Sequence, residues 1–541
     1  MNILKKYWPI IVITLIGLGF RLSHNIGISI WHDEAFSALM IRYGWGEMFQ
    51  RLAMDVHPPM YYIALRIWHY AFGDGMWSLR GFSVLFGTLT IPAVYLFVKE
   101  SFKNGKMALW AAGLAAINPF GLQFSTEARM YTFGAFFALM ASYFLVKALR
   151  EQKKVFDDDQ LNMPNLPQDI RLKKELVWNY LGFVVCSTII VLTHYYLLFT
   201  AAAIMLYGLI YCVRYYRKNY RQYLWLIASS LLVVVGFLPW LRQFLGQLRS
   251  VGGSYWIPDM TWWSIPSTLW TILLGFANDT TKSSTQLWLV ILTLFSGYFF
   301  WRFVKKTDQF EKWLVILAVV MPFVGSVLFY LKSISCGHTG VNGSLVCHGR
   351  SLYQDRYFLF AAVFYTIAFS AFLSELKNRV WARVLLAGYI LLNLVAIKNY
   401  WAELNLSAKP GMNGAARYLG TNVEPGQRVF LGTSFEFFNY KYYEQTYYHV
   451  PTPPLLYTGG RADVSKMSSV EGSALLSNSD LAPSYAQYAH SGDTEWVVWT
   501  YAFGGNPPDV PGTWNKISEK TFDDVRPYLG TTIYVDEYKV N

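Results

Sequence analysis

The strongest constraint on this chain is a succession of apolar runs, each followed by a polar, charged or Gly/Pro-containing break. A helix must present about 20 largely apolar residues to cross some 30 Å of hydrocarbon at 1.5 Å per residue. On that measure about eleven segments qualify. They are Tyr7–Arg21, Trp77–Val98, Met107–Phe120, Tyr131–Leu149, Leu176–Leu192, Tyr196–Val213, Tyr223–Trp240, Gln286–Phe303, Trp313–Leu331, Tyr357–Leu373 and Val380–Ile397. Composition points the same way: at 54% hydrophobic and only 15% charged, the chain is too apolar for an ordinary soluble protein. The net charge of +12 does not imply nucleic acid, because the basic residues fall in short clusters between apolar runs. The expected fold class is therefore mainly α: a polytopic protein embedded in a lipid bilayer.

Those basic clusters orient the spans. Alternate connections carry Lys5 and Lys6; Lys99, Lys103 and Lys106; Arg150, Lys153, Lys154, Arg171, Lys173 and Lys174; Arg214, Arg217, Lys218 and Arg221; Arg302, Lys305, Lys306 and Lys312; and Lys377 with Arg379. The positive-inside rule assigns these to the cytoplasm of an inner, cytoplasmic membrane. Loops 23–76, 242–285 and 332–355, and everything after about Tyr400, then face outward. The basic lead Met1–Lys6 runs through its apolar stretch into Arg21 without a small-residue cleavage site, so the first segment reads as a retained anchor. Cys336 and Cys347 share one outward loop, where they form a disulfide or stay as free thiols; spacing alone does not decide.

Beyond Tyr400 no run is long enough to span, and Gly, Pro, Ser and Thr increase. Strand-like runs at Arg428–Thr433, Pro454–Gly459, Glu495–Tyr501 and Thr531–Tyr538 alternate with helical candidates Phe435–Gln445 and Asp480–Ala489. The alternation predicts a small extracytoplasmic α/β domain over 401–541 behind a membrane domain over 1–400. Gly411–Gly420 and Pro451–Gly460 read as connections.

The polar residues of the outward set gather around a few short motifs. WHDEAF (Trp31–Phe36) puts Asp33 and Glu34 just past the first span, and DVHPPMYY (Asp55–Tyr62) follows in the same loop. There Pro58 and Pro59 lead the chain, extended, into an amphipathic helix with Tyr61, Tyr62 and Trp68. STEARMY supplies Glu127, Arg129 and Tyr131; THYY supplies His194; QDRYF supplies Asp355 and Arg356. Each has a plain reading: Asp33 and Glu34 as helix N-terminal charges, Arg129 and Arg356 as snorkelling residues, His194 as an interfacial hydrogen-bonding residue. Together, carboxylates and arginines at one membrane surface suit an anionic lipid head group and a nucleophile.

These motifs resemble those of the polytopic glycosyltransferases of the protein O-mannosyltransferase and aminoarabinose-transferase group, with the GT-C fold. The resemblance covers roughly Met1–Tyr400 and is most specific over Trp31–Phe136. It implies transfer of a sugar from a polyprenyl-phosphate carrier to a protein, lipid or glycan acceptor on the outer side, with Asp33 catalytic. The residue chemistry supports this on its own terms. A carboxylate can take the proton of an attacking hydroxyl or amine, so Asp33 is the expected base. Glu34 would hold the acceptor or tune Asp33. The phosphate leaves without a general acid but develops charge, which arginine forks stabilise. Arg129 and Arg356 are the expected forks, with Arg80 a further candidate. Asp55 and His57 would orient acceptor, sugar or a divalent cation, and Asp33, Asp55, His57 and His194 are the ligands such a cation would find. Two other classes compete: a lipid-linked oligosaccharide ligase or polymerase, and a flippase or transporter. The second would be expected to show internal repeats and charges at the bilayer midplane, whereas here the spans are unalike and the charges sit at helix mouths.

Overall fold

In a computed structural model of the protein, residues 2–23, 28–160, 166–251, 257, 259–275, 283–338, 345–348, 351–404, 409–502, 505–525 and 532–541 are described. It is an integral membrane protein. Among the described residues, nine helices are long and apolar enough to cross a bilayer. A tenth candidate is the pair Gly105–Ile117 and Pro119–Ser125, bent by 56°. With the shorter apolar stretch Tyr7–Leu22, this makes all eleven expected segments helical.

Two compact units partition the chain, and they cut across the boundary expected at residue 400. The first comprises Met1–Leu22, Ser83–Thr126 and Met130–Ile397; the second comprises Ser23–Phe82, Glu127–Arg129 and Lys398–Asn541.

Inside the first unit, the break in the bent span follows from its sequence. Pro119 has no N–H to continue the ladder, and the Asn118 side chain caps the second piece by accepting from the Gly121 N–H at 2.8 Å. The carbonyls freed in the last turn of Gly105–Ile117 are met by Arg21. Its Nη1 donates to Ala116 O at 3.1 Å and to Gly17 O at 2.9 Å, and its Nη2 donates to Ala115 O at 3.3 Å. Arg21 Nε donates to Ser125 Oγ at 3.1 Å. A buried guanidinium with no carboxylate within ion-pair distance among the described residues is thus held at a helix C-terminus, where a positive charge is favoured. This approach requires glycine at position 87, since a Cβ there would lie 2.2 Å from Ser125 Oγ and 3.2 Å from Arg21 Nε. The loop expected over 242–285 is shorter than anticipated. Helix Tyr223–Val251 passes through Pro239 without ending, and Ser264–Leu274 is a further apolar helix. In the 332–355 loop, strands Ser335–His338 and Leu345–His348 pair antiparallel with Cys336 opposite Cys347.

The second unit joins the first loop to the C-terminal domain. A six-stranded mixed sheet runs in the order Leu481–Ala482, Leu455–Tyr457, Arg428–Leu431, Thr494–Thr500, Thr532–Val540, Trp514–Asp523. The first four strands are mutually parallel, Thr532–Val540 is antiparallel to Thr494–Thr500, and Trp514–Asp523 is antiparallel to Thr532–Val540. Helix Ser434–Tyr443 is the crossover between Arg428–Leu431 and Leu455–Tyr457, as a parallel pair demands. The expected helix over Asp480–Ala489 is instead a two-residue strand and a single turn at Tyr485–Gln487, because Pro483 and Ser484 interrupt it. Conversely, Gly411–Asn422 is a helix, not a connection: Met412, Ala415, Ala416 and Leu419 recur at helical spacing and are buried.

The first-loop helices His32–Met40, Trp45–Met54 and Met60–Phe72 dock on this domain. Tyr443 Oη accepts from the Ile30 N–H at 2.7 Å, and the His32 ring lies 4.6 Å from Phe435 and 5.4 Å from Phe438. Arg42 bonds Asp74 at 2.6 Å, Gln445 at 2.9 Å and Thr446 at 2.6 Å. Trp45, Phe49, Ile67, Tyr70 and Phe72 stay exposed on these helices, the residue types of a lipid–water boundary.

Candidate active site

The adjacent carboxylates Asp33 and Glu34 occupy the first turn of His32–Met40, where the helix dipole favours negative charge. Neighbours on a helix point about 100° apart, and the two side chains meet different surroundings. Glu34 is fully buried against Arg80, itself 1% exposed: Nε donates to Oε1 at 2.9 Å and Nη2 to Oε2 at 2.8 Å. Oε1 also accepts the Ala128 N–H at 2.7 Å, and Arg80 Nη1 donates to Ile28 O at 3.0 Å. Both groups of this fork are committed to each other and to backbone. Their arrangement ties the Asp33 helix, the start of Met76–Phe102 and the short 127–129 segment together.

Asp33 is different, its side chain 27% exposed. Arg129, 2% exposed, is beside it, with Nη2 3.8 Å from Asp33 Oδ2. Arg129 Nη1 is anchored on Asp33 O at 3.1 Å and Ser37 Oγ at 3.0 Å. Ser37 carries no motif signal of its own, yet it lies four residues after Asp33, on the same helix face. The Arg129 N–H donates to Glu127 O at 2.8 Å, a tight turn that orients the guanidinium, and the Glu127 side chain is buried.

The HPP segment completes the group. Asp55 ends helix Trp45–Met54, His57 precedes two prolines that restrict its backbone, and Pro59 caps Met60–Phe72. His57 Nδ1 lies 2.9 Å from Asp55 Oδ2, and its Nε2 lies 3.2 Å from Arg129 Nη2. Tyr61 and Tyr62 line the same helix, fully buried and edge-on at 5.4 Å. Burial pushes the Tyr62 phenol well above its ordinary range, so it stays protonated, and desolvation holds the His32 imidazole below its usual value despite neighbouring Asp33.

Four expected site residues belong to the other unit. Tyr131 lies 6.1 Å from the His194 ring, which in turn lies 4.7 Å from Tyr357, while His194 Nδ1 accepts the Tyr196 N–H at 3.1 Å. Asp355 accepts from Thr268 Oγ1 and, at 3.3 Å, from Thr271 Oγ1. Arg356 is half-buried in the turn Asp355–Phe358. Among the described residues, no three His, Cys, Asp or Glu side chains converge in a set able to hold a metal ion. The expected cation ligands Asp55 and His57 lie within hydrogen-bond distance of each other.

The family profile described as Dolichyl-phosphate-mannose-protein mannosyltransferase matches residues 56–156, the stretch carrying His57, Tyr61, Arg80, Glu127 and Arg129. ArnT from Cupriavidus metallidurans, solved bound to undecaprenyl phosphate, superimposes over 98% of both chains with a TM-score of 0.56 at 11% identity. The same protein in its apo state gives 0.57, again at 11% identity and 98% coverage of each chain. A search of curated sequences finds no significant match. The chain shares the overall fold of ArnT, the GT-C fold.

Proposed function

We propose that the protein transfers a sugar from a polyprenyl-phosphate carrier to a nucleophilic acceptor on the outer face of the membrane, with Asp33 as general base and Arg129 as the group that receives the phosphate. The observation that carries this reading is the contrast within one helical turn. Glu34 is locked by Arg80 and the Ala128 N–H, while Asp33 stays partly open beside a buried guanidinium. Glu34 and Arg80 are then positioning residues rather than members of the reacting set. ArnT carries undecaprenyl phosphate in its solved complex, and a carrier of that class is the donor assigned here.

Chemically, the acceptor O–H or N–H gives its proton to the Asp33 carboxylate as the heteroatom forms its bond to the anomeric carbon. The bond from that carbon to the phosphate oxygen breaks, and the lipid phosphate leaves with the electron pair. Its growing charge is met by charge-assisted hydrogen bonds from Arg129, a donor group already in place. A single displacement inverts the anomeric centre. The 3.8 Å separation of Asp33 Oδ2 from Arg129 Nη2 is longer than a direct hydrogen bond between the two groups.

The test is incubation of purified protein with a panel of polyprenyl-phosphate hexoses, pentoses and amino sugars plus cell-envelope acceptors, with products read by mass. One donor should yield a sugar-modified acceptor and free lipid phosphate. Arg129→Ala should raise the donor KM more than the acceptor KM; an unchanged donor dependence would make the arginine purely structural. For orientation, Lys520→Cys, at an exposed position of the C-terminal sheet, should react with an impermeant thiol reagent applied from outside intact cells. Labelling only after the cytoplasm is opened would reverse the topology.

A further inference from the structure

We propose that Asp55 and His57 form a relay that holds the Arg129 guanidinium in its working position and away from a closed pair with Asp33. This rests on the reading of Asp33 and Arg129 given above, and it assigns Asp55 and His57 a role in positioning rather than in holding acceptor, sugar or cation.

Hydrogen-bond bookkeeping carries it. A guanidinium has five N–H donors and no acceptor. At 3.2 Å from Arg129 Nη2, His57 Nε2 must therefore be the acceptor, a bare ring nitrogen. A neutral imidazole with Nε2 bare carries its proton on Nδ1, and Nδ1 lies 2.9 Å from Asp55 Oδ2, which accepts. Asp55 is 4% exposed and a carboxylate has only acceptors, so it selects this tautomer and rejects the other. The backbone makes the arrangement stiff: His57 is restricted by Pro58, Pro59 starts the next helix, and Asp55 ends the previous one.

Geometry gives the relay its purpose. Arg129 Nη1 is held by Asp33 O and Ser37 Oγ, and Nη2 lies between the His57 ring and the Asp33 carboxylate. Toward His57 it is bonded; toward Asp33 it would close a gap of 3.8 Å into a tight ion pair. A closed pair would tie up the base and the phosphate donor together. The bare Nε2 keeps them apart. His32 and Tyr62 also lie near this group, one held neutral and the other protonated, so neither of these two supplies a competing charge.

A double-mutant cycle tests it in full-length protein, read as kcat/KM for both substrates. Asp55→Asn keeps size but replaces the acceptor-only carboxylate with an amide that can also donate to Nδ1, so the Nδ1–H tautomer is no longer selected and the one whose Nε2–H faces the Arg129 donors becomes accessible. Activity should drop by at least about tenfold, as a wrong tautomer does elsewhere, with the donor KM rising. Asp55→Glu should retain most activity. His57→Gln offers Arg129 an amide oxygen that needs no selection by Asp55, so adding Asp55→Asn in that background should cost less than about twofold. Equal costs of Asp55→Asn in both backgrounds, or equal losses for Asp55→Asn and Asp55→Glu, would overturn the relay. Should His57→Gln fail to fold, the Asn-against-Glu comparison decides alone. Loss of the Asp33 assignment would show as turnover in Asp33→Asn, a separate result.

Discussion

Asp33→Asn should lose sugar transfer by a factor of about 10² to 10⁴, the range a positioned general base contributes, while leaving the protein folded. The substitution is nearly isosteric, and the Asp33 side chain is partly exposed. Its backbone carbonyl, which Arg129 uses, is untouched. Single-turnover formation of labelled product against a melting curve in detergent separates the two effects. Wild-type turnover in the variant would remove Asp33 from the chemistry, and a collapsed melting temperature would recast it as structural.

The companion carboxylate should behave in the opposite way. Glu34→Gln or Arg80→Ala leaves one member of a buried ion pair without its counter-charge, a change that costs about 3–5 kcal/mol in comparable settings. The loss should appear as a lower melting temperature and as protease sensitivity in the first loop, with activity falling because the loop no longer holds. Replacing both residues by apolar side chains of similar volume should recover much of the stability but not the Ala128 tie. If Glu34→Gln melts like the wild type yet is inactive, Glu34 belongs to the reacting groups after all.

The spans were readable because crossing hydrocarbon imposes length and polarity on every segment, and the eleven runs are all helical. The strands at Arg428, Leu455, Thr494 and Thr532 were readable from their apolar, β-branched and aromatic runs. Strand Trp514–Asp523 was not, since it lies at the sheet edge and most of its residues are polar and exposed. Asp33 and Glu34 announced themselves as a pair, but nothing local says which is buried. That depends on Arg80, 46 residues on, and on a backbone N–H of residue 128. Arg80 therefore read as a candidate phosphate ligand, although its guanidinium is committed to Glu34. The link from Asp55 through His57 to Arg129 is likewise invisible in one dimension. The spacing of DVH suggests only that the two side chains are near neighbours.

The second compact unit is assembled from three separate stretches of chain, 23–82, 127–129 and 398–541. Anyone building a chimera by exchanging the last 140 or so residues for those of another GT-C protein would therefore sever the Ile30–Tyr443 and Arg42–Gln445 bonds and strip His32 of its ring contacts with Phe435 and Phe438. A graft that respects the architecture must carry the first loop and the three-residue insert along with the carboxyl-terminal piece, so the natural cut points lie inside the polypeptide rather than at its apparent seam.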